Sequence, residues 1–358
     1  MARSQERIAM FEHLEDWDGH EEVHTIRDEE NGLTAVVAVH NTRLGPAAGG
    51  TRFLRYDSLD HAASDALRLS QAMTYKSALA GMRCGGGKAV IMSDGSNTKP
   101  QGLLAAYGRF LNGIGDRFAT GEDVGFTLWD CEALRAFTPY VAGTATGGRG
   151  DTAVYTAQGA WHALRHVARR LFGQDDLAGL RIAVQGLGGV GWRLCERLAA
   201  DGAILTVADI KSDHAKAAAE LFGARVADPA RIHAEEVDIW SPCALGGVVN
   251  DATITELRCR AIVGAANNQL SRAGLAEDLR SRGILLAPDF IVSAGGILSS
   301  ADELARLPGR APPLQSSIEE RLEGIGRRLA EVLDLAETQG TTPHAAALRL
   351  ARQIVGEA

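Results

Sequence analysis

Apolar residues along this chain recur in two rhythms, and the alternation between them predicts the architecture. Short apolar runs read as strands: Leu33–Val39, which is rich in β-branched residues, Ala89–Met92, Arg181–Gln185, Ala203–Ala208, Val237–Ser241, Ala261–Gly264 and Ile284–Ala287. Longer segments carry apolar residues at helical spacing. Ser58–Met82 places Ala62, Ala66, Leu69 and Met73 along one stripe, and Gly102–Leu111 and Thr156–Phe172 are also helical. Ser317–Thr338 spaces Ile318, Leu322, Ile325, Leu329 and Val332 in the same way, which predicts a core-packing helix. Thr342-Pro343 reads as an N-cap followed by proline in the first turn of a last helix. Strand and helix alternating in this manner predict an α/β protein, and 358 residues are enough for two domains.

The stretch from Arg181 to Asp209 carries the most specific pattern. A strand-like run enters a loop with Gly186, Gly188 and Gly191 in G-x-G-x-x-G register. Val190, Leu194 and Leu198 then follow at helical spacing, and a second apolar run ends on Asp209. The first glycine permits a tight turn, the second lets backbone approach a pyrophosphate, and the third allows close helix–strand packing. The helix N-terminus presents N–H groups and a positive dipole end to phosphates. Asp209 stands 23 residues after Gly186, near the spacing of a carboxylate that binds ribose hydroxyls. A dinucleotide is therefore expected. NAD is favoured over NADP, because a 2′-phosphate would meet a negative charge; Lys211 softens that exclusion.

Charge and composition exclude several other classes. A net charge of −8 and a pI near 5.7, with no basic stripe, argue against nucleic-acid binding. No apolar run approaches bilayer length, and the acidic N-terminal sequence does not resemble a secretory signal, so a cytoplasmic protein is expected. Five cysteines at 84, 131, 195, 243 and 259 show no C-x-x-C spacing, so neither a disulfide framework nor a metal site is expected. The segment from Gly143 to Gly150 reads as a hinge, and ARLPGRAPP at 305–313 as a loop.

Four further segments hold candidate chemistry. Lys76 and Lys88 flank glycine- and alanine-rich sequence, where little side-chain bulk separates a lysine from a ligand. A P-loop fails, since Met82 occupies the position of its first glycine and Ala89 that of its Ser/Thr. Asp123 lies between glycines after a strand, and Gly264-Ala-Ala-Asn-Asn-Gln269 leads from a strand end into paired amides.

LGPAAGGTR (44–52), MTYK, GGGKAVI, EDVG, VQGLGGVG, PCALGG, GAANNQL and the APDF/AGG segment occur in this order. Together they resemble the amino acid dehydrogenases that act on leucine, phenylalanine and valine, relatives of glutamate dehydrogenase. The resemblance implies an N-terminal α/β substrate domain (1–145) and a Rossmann-like, doubly wound dinucleotide-binding domain (146–340). It places a cleft between them, with the helix in 341–358 packing back on the first domain. It implies oxidative deamination of an apolar L-amino acid with NAD and water to the 2-oxo acid, ammonia and NADH, by a homo-oligomer without a metal. In that scheme Lys76 holds the substrate carboxylate, Lys88 is the general base and Asp123 handles the amine. A lysine takes up this task near neutral pH only where burial and neighbouring cations favour the neutral amine. Gly49 and Gly50 match the loop lining the carboxylate site, and Asn268 an amide near the amino group. The side-chain pocket would involve Ala48, Met73, Gly121, Ile297 and Ser300. Cofactor contacts would come from Thr156, Gly186, Gly188, Gly189, Val190, Gly191, Asp209, Ala244 and Asn267.

Some positions depart from that family's pattern. Ala48 and Ser300 stand where leucine-type members carry larger or apolar residues, which predicts a roomier pocket that admits bulkier side chains. Ser293 replaces an asparagine and removes an amide from the local hydrogen bonding. Two rival readings stand beside the first: a non-catalytic NAD-binding regulatory protein on the same fold, and a dehydrogenase for an unusual bulky amino acid.

Overall fold

A computed structural model describes residues 11–146 and 148–357; Gly147 of the expected hinge and the first ten residues lie outside the described residues. The chain divides into two compact units. The first gathers the residues up to Asp151 with Ser299–Gln315 and the segment from Ala351 onward; the second comprises Thr152–Leu298 and Ser316–Leu350.

The first unit is built on a mixed sheet. Strands β1 (Glu22–Asp28), β2 (Leu33–Asn41) and β5 (Gly85–Met92) pair antiparallel, and β3 (Ala47–Ala48) and β4 (Thr51–Leu54) both pair parallel with β5. Strand β6 (Phe118–Ala119) pairs parallel with β3. Side chains alternate across this sheet. Val90, Val36 and Ala38 face Ala62, Ala63, Ala66 and Leu67 of helix α1 (Leu59–Leu79). Ala89, Ile91 and Phe53 face the opposite way, onto Leu103, Tyr107 and Leu111 of α2 (Gln101–Ile114). The Ser58 hydroxyl caps α1 by accepting from the His61 N–H.

Two features were hidden from the hydrophobic pattern. Strand β5 begins at Gly85 rather than Ala89, because three glycines pair in its ladder without contributing apolar side chains. The pair β3 and β4 is one strand-like passage interrupted at Gly49-Gly50, opposite Gly87-Lys88.

The second unit contains a six-stranded parallel sheet. Strands β7 (Arg181–Gln185), β8 (Ile204–Ala208), β9 (Arg225–Val226), β10 (Ile239–Pro242), β11 (Ala261–Ile262) and β12 (Leu285–Leu286) lie in the order β9-β8-β7-β10-β11-β12. The order reverses between β7 and β10, which is the topological switch point where doubly wound sheets bind ligands. Helices α4 (Thr152–Phe172), α5 (Gly189–Ala200), α6 (Ser212–Phe222) and α11 (Ile318–Thr338) belong to this unit. Helix α4 starts four residues before the apolar pattern indicates. Ser317 and Glu320 form a capping box at the start of α11, and Thr342 accepts from the Ala345 N–H at the start of α12 (Pro343–Val355). Among the described residues no helix is long and apolar enough to cross a membrane.

Gly86 is where α1 presses onto the sheet. A Cβ there would lie 2.1 Å from the Thr74 amide nitrogen and 2.4 Å from the Ser70 carbonyl oxygen, both backbone atoms of α1. Gly86→Ala should lower stability by about 1–3 kcal/mol or more, read as a fall in the urea midpoint. Gly113→Ala, in α2 with no neighbouring atom within 4 Å, is the control and should be neutral or slightly stabilising.

Candidate functional site

Lys88 sits in the middle of β5, opposite Ala38 and on the face of the sheet that α1 covers. Arg52 pairs in register with Val90, so it emerges on the same face, one strand over. Asp123 reaches this place from the segment after β6. That segment runs alongside β3 and β4 through hydrogen bonds from Gly49 N–H to Ala119 O, Thr51 N–H to Gly121 O and Phe53 N–H to Val124 O. A tight turn then closes between Asp123 and Phe126 by two backbone bonds of 3.1 and 2.9 Å. Gly125 turns it with φ of 76°, and a Cβ there would lie 2.0 Å from the Phe53 carbonyl oxygen.

The charged groups converge on one oxygen. Lys88 Nζ lies 2.8 Å from Asp123 Oδ2, and Arg52 Nε donates to the same oxygen at 3.1 Å. Arg52 Nη1 donates to Asp65 Oδ2 at 2.8 Å, and the Tyr56 hydroxyl donates to that oxygen at 2.7 Å. The Lys88 side chain is 7% exposed and that of Asp123 18%. Burial works to raise the Asp123 carboxyl pKa, but the Lys88 ammonium and the Arg52 guanidinium outweigh it and hold the carboxyl at about 2. For Asp65, burial again pushes upward and is overcome by the Tyr56 hydrogen bond and the Arg52 charge. The carboxylates of Asp123 and Asp65 thus balance two buried cations.

The remaining first-unit candidates lie on and just after β3, on the segment after β6, on α1 and beside Gly143. Ala48 is buried in β3, and Gly121 precedes Asp123 by two residues. Gly49 and Gly50 are glycines for a packing reason. A Cβ on Gly49 would lie 1.8 Å from the Gly87 carbonyl oxygen, and one on Gly50 would lie 2.9 Å from the Asp123 Cβ. Met73 of α1 lies over this break, its Cγ 3.4 Å from the position of a Gly49 Cβ, and Lys76 follows one turn later on the same helix. The Ser300 hydroxyl lies 3.6 Å from the position of a Gly143 Cβ.

Two residues without a sequence signal shape this unit. Glu303 is a buried carboxylate that accepts from the Gly143 N–H at 2.7 Å, from the Thr144 N–H at 3.2 Å and from the Thr144 hydroxyl. The segment read as a hinge is therefore pinned at its start. Arg310, from the proline-rich loop, donates to the backbone carbonyls of Pro46 and Ala47, holding the entry to β3. Neither lies in a glycine-flanked motif, and both act on backbone atoms, which no sequence spacing reveals.

In the second unit the glycine loop lies at the switch point. Gly186 has φ of 92°, and a Cβ there would lie 2.7 Å from the Ala244 Cβ, at the end of β10. A Cβ on Gly191 would lie 1.9 Å from the Gly186 carbonyl oxygen. Gly188 caps α5 without a side-chain hydrogen bond and is exposed, as is Gly189; Val190 is half-buried. Asp209 Oδ2 accepts from the Leu187 N–H at 2.6 Å and Oδ1 from the Lys211 N–H at 2.8 Å. Asn268 has φ of 52°, and its N–H donates to Asp289 at 2.6 Å. The Ser293 hydroxyl donates to Asn267 Oδ1 at 3.3 Å, so the residue in place of the expected asparagine keeps a hydrogen bond. The Thr156 hydroxyl donates to the Thr152 carbonyl at 3.0 Å and lies 3.1 Å from the position of a Gly296 Cβ. Ile297, half-buried, follows Gly296 in α9 (Gly295–Ser299).

Comparison with known proteins agrees with both halves. The family model "Glu/Leu/Phe/Val dehydrogenase, dimerisation domain" matches residues 20–134, and "Glutamate/Leucine/Phenylalanine/Valine dehydrogenase" matches 206–358. Leucine dehydrogenase of Bacillus subtilis (strain 168) is 40% identical over 348 residues, covering 97% of this chain and 94% of that protein. Phenylalanine dehydrogenase of Thermoactinomyces intermedius is 47% identical over 290 residues, covering 80% and 79%. A crystal structure of L-tryptophan dehydrogenase from Nostoc punctiforme superposes with a TM-score of 0.80 at 37% identity, covering 95% of this chain and 96% of that one. With two family models over its two halves and relatives matched along nearly its whole length, the chain belongs to the glutamate/leucine/phenylalanine/valine dehydrogenase family.

Proposed function

We propose that this amino acid dehydrogenase carries out NAD-dependent oxidative deamination of an apolar L-amino acid. The products are the 2-oxo acid, ammonium, NADH and a proton, and one water is consumed. The observation that carries the reading is the buried Lys88–Asp123 pair, held at 2.8 Å in a chain of this family.

The second unit fits a dinucleotide. Gly188 and Gly189 leave the N-terminus of α5 without side-chain cover, so its first N–H groups are open to a pyrophosphate. Gly186 and Gly191 allow the loop to fold tightly under it, beside Ala244. Asp209 would receive the ribose hydroxyls, and Thr156, Asn267 and Asn268 would hold the nicotinamide end. When bound, the nicotinamide supplies the acceptor for the hydride of the substrate Cα.

The chain's own residues do the rest. Lys76 binds the substrate carboxylate as a fixed positive charge. Asp123 starts as the carboxylate and takes the proton that the substrate ammonium must lose before hydride leaves Cα. Lys88, once deprotonated, takes the proton from the water that adds to the imine carbon. Asp123 then returns a proton to the departing nitrogen. No cationic side chain stands at Ala48, Met73, Gly121 or Ser300, which favours apolar over acidic substrates. Similarity to leucine, phenylalanine and tryptophan dehydrogenases supports that class, and the small Ala48 favours its bulkier members. The match to a dimerisation domain supports a homo-oligomer.

The direct test is NADH formation at alkaline pH with NAD and a panel of L-amino acids from valine to tryptophan, with glutamate included. Turnover on apolar members and none on glutamate is expected. Turnover on glutamate alone would sink the substrate assignment. Lys88→Ala should reduce turnover at least a thousandfold, on the order of the upper range for loss of a general base, while NAD binding by fluorescence is retained. Asp209→Ala should weaken NAD binding about tenfold, equivalent to about 1.4 kcal/mol, and narrow the preference over NADP.

A further inference from the structure

Arg52 has no role in the chemistry above, yet it is the group most intimately engaged with Asp123 after Lys88. Its side chain is 17% exposed and bridges two carboxylates, Asp123 through Nε and Asp65 through Nη1. Asp65 is itself held by the Tyr56 hydroxyl and by Arg68, whose Nη2 donates to its other oxygen at 2.6 Å. Arg52 therefore cannot swing away without breaking a chain of four side chains.

The geometry at Asp123 is asymmetric. Lys88 and Arg52 both engage Oδ2, and no protein donor is directed at Oδ1 among the described residues. A carboxylate held by one cation alone is free to rotate and to turn either oxygen to it. One held by two cations from different strands, on one oxygen, has a fixed plane and a fixed outward oxygen. That outward oxygen is the one positioned to accept from a substrate ammonium.

We propose that Arg52 is a positioning residue: it locks Asp123 with Oδ1 presented to the substrate amine. The proposal rests on the reading of Asp123 as amine handler. Asp65 holds the far end of the Arg52 guanidinium and is itself held by Tyr56 and Arg68. Of these residues, only Arg52 contacts the same oxygen as Lys88. Loss of the guanidinium leaves the carboxylate to Lys88 alone, free to turn on that single contact.

The test compares wild type, Arg52→Gln and Arg52→Lys after each is shown to fold by its thermal transition. KM is measured for the best amino acid of the panel and, in the reverse direction, for ammonium and for the matching 2-oxo acid. In Arg52→Gln the KM for the amino acid and for ammonium should rise about tenfold, while that for the 2-oxo acid, which carries no amine, should stay at the wild-type value. A lysine cannot bridge two carboxylates as a guanidinium does, so Arg52→Lys should fall between the two. Equal changes for all three substrates in Arg52→Gln, or none, would overturn the proposal in favour of a structural role. Should Arg52→Gln fail to fold, KM values of Arg52→Lys equal to those of wild type would overturn it equally. Wild-type turnover in both directions is measured first, so a failure of the catalytic reading is seen separately from a failure of this one.

Discussion

Two buried cations sharing one carboxylate oxygen is the constraint around which the first unit is organised. A lysine in the centre of a covered strand is costly unless its charge is answered. Asp123 answers Lys88, but it has to be delivered to the α1 face of the sheet from a loop on the other side of β3. The second cation, Arg52, then requires a second carboxylate, and Asp65 supplies it from the helix that covers the site. Charge balance therefore ties β4, β5, the segment after β6 and α1 into one polar cluster inside an otherwise apolar layer. Removing one member leaves an uncompensated charge, which explains why such a cluster is assembled whole.

Glycine makes this assembly sterically possible. The break at Gly49-Gly50 falls opposite Gly87-Lys88, and at each of these glycines a single added carbon would collide with backbone or with Phe118. The same residues that make the sequence look like a ligand loop are thus required by strand-to-strand contact. The two readings are not rivals. A backbone stripped of side chains next to a buried lysine is a tight junction and, on the proposed reading, would also be the place where a small substrate reaches that lysine.

The legibility of these features follows from how each is encoded. The dinucleotide unit was readable because its signal is local: strand, glycine turn, helix and terminal carboxylate follow one another within thirty residues. Helices α1 and α11 were readable from apolar spacing. Strands β3, β4 and the first half of β5 were not, since Ala and Gly carry no strand signal of their own and the pairing partners stand far apart in sequence. Lys88 and Asp123 stood out through motifs that name residues, whereas the bridge that Arg52 makes inside the same motif was invisible, because it depends on Asp65 and Asp123 arriving from other elements. Glu303 and Arg310 were missed for the same reason: their partners are backbone atoms more than a hundred residues away.

Asp209 shows how a local motif acquires a fixed geometry only in the folded state. In the sequence, Lys211 looked able to offset the carboxylate and relax the preference for NAD. In the structure, the backbone N–H of Lys211 instead binds Asp209 Oδ1, while Leu187 N–H binds Oδ2. Both bonds fix the carboxylate between the end of β8 and the glycine loop. A mobile aspartate could withdraw and let a nearby lysine take a 2′-phosphate. In the proposed NAD site a fixed one would keep its charge at the ribose, where accepting from two hydroxyls is favourable and meeting a phosphate is not. Lys211 contributes to that fixation through its main chain, while its exposed position at the start of α6 leaves its side chain in solvent.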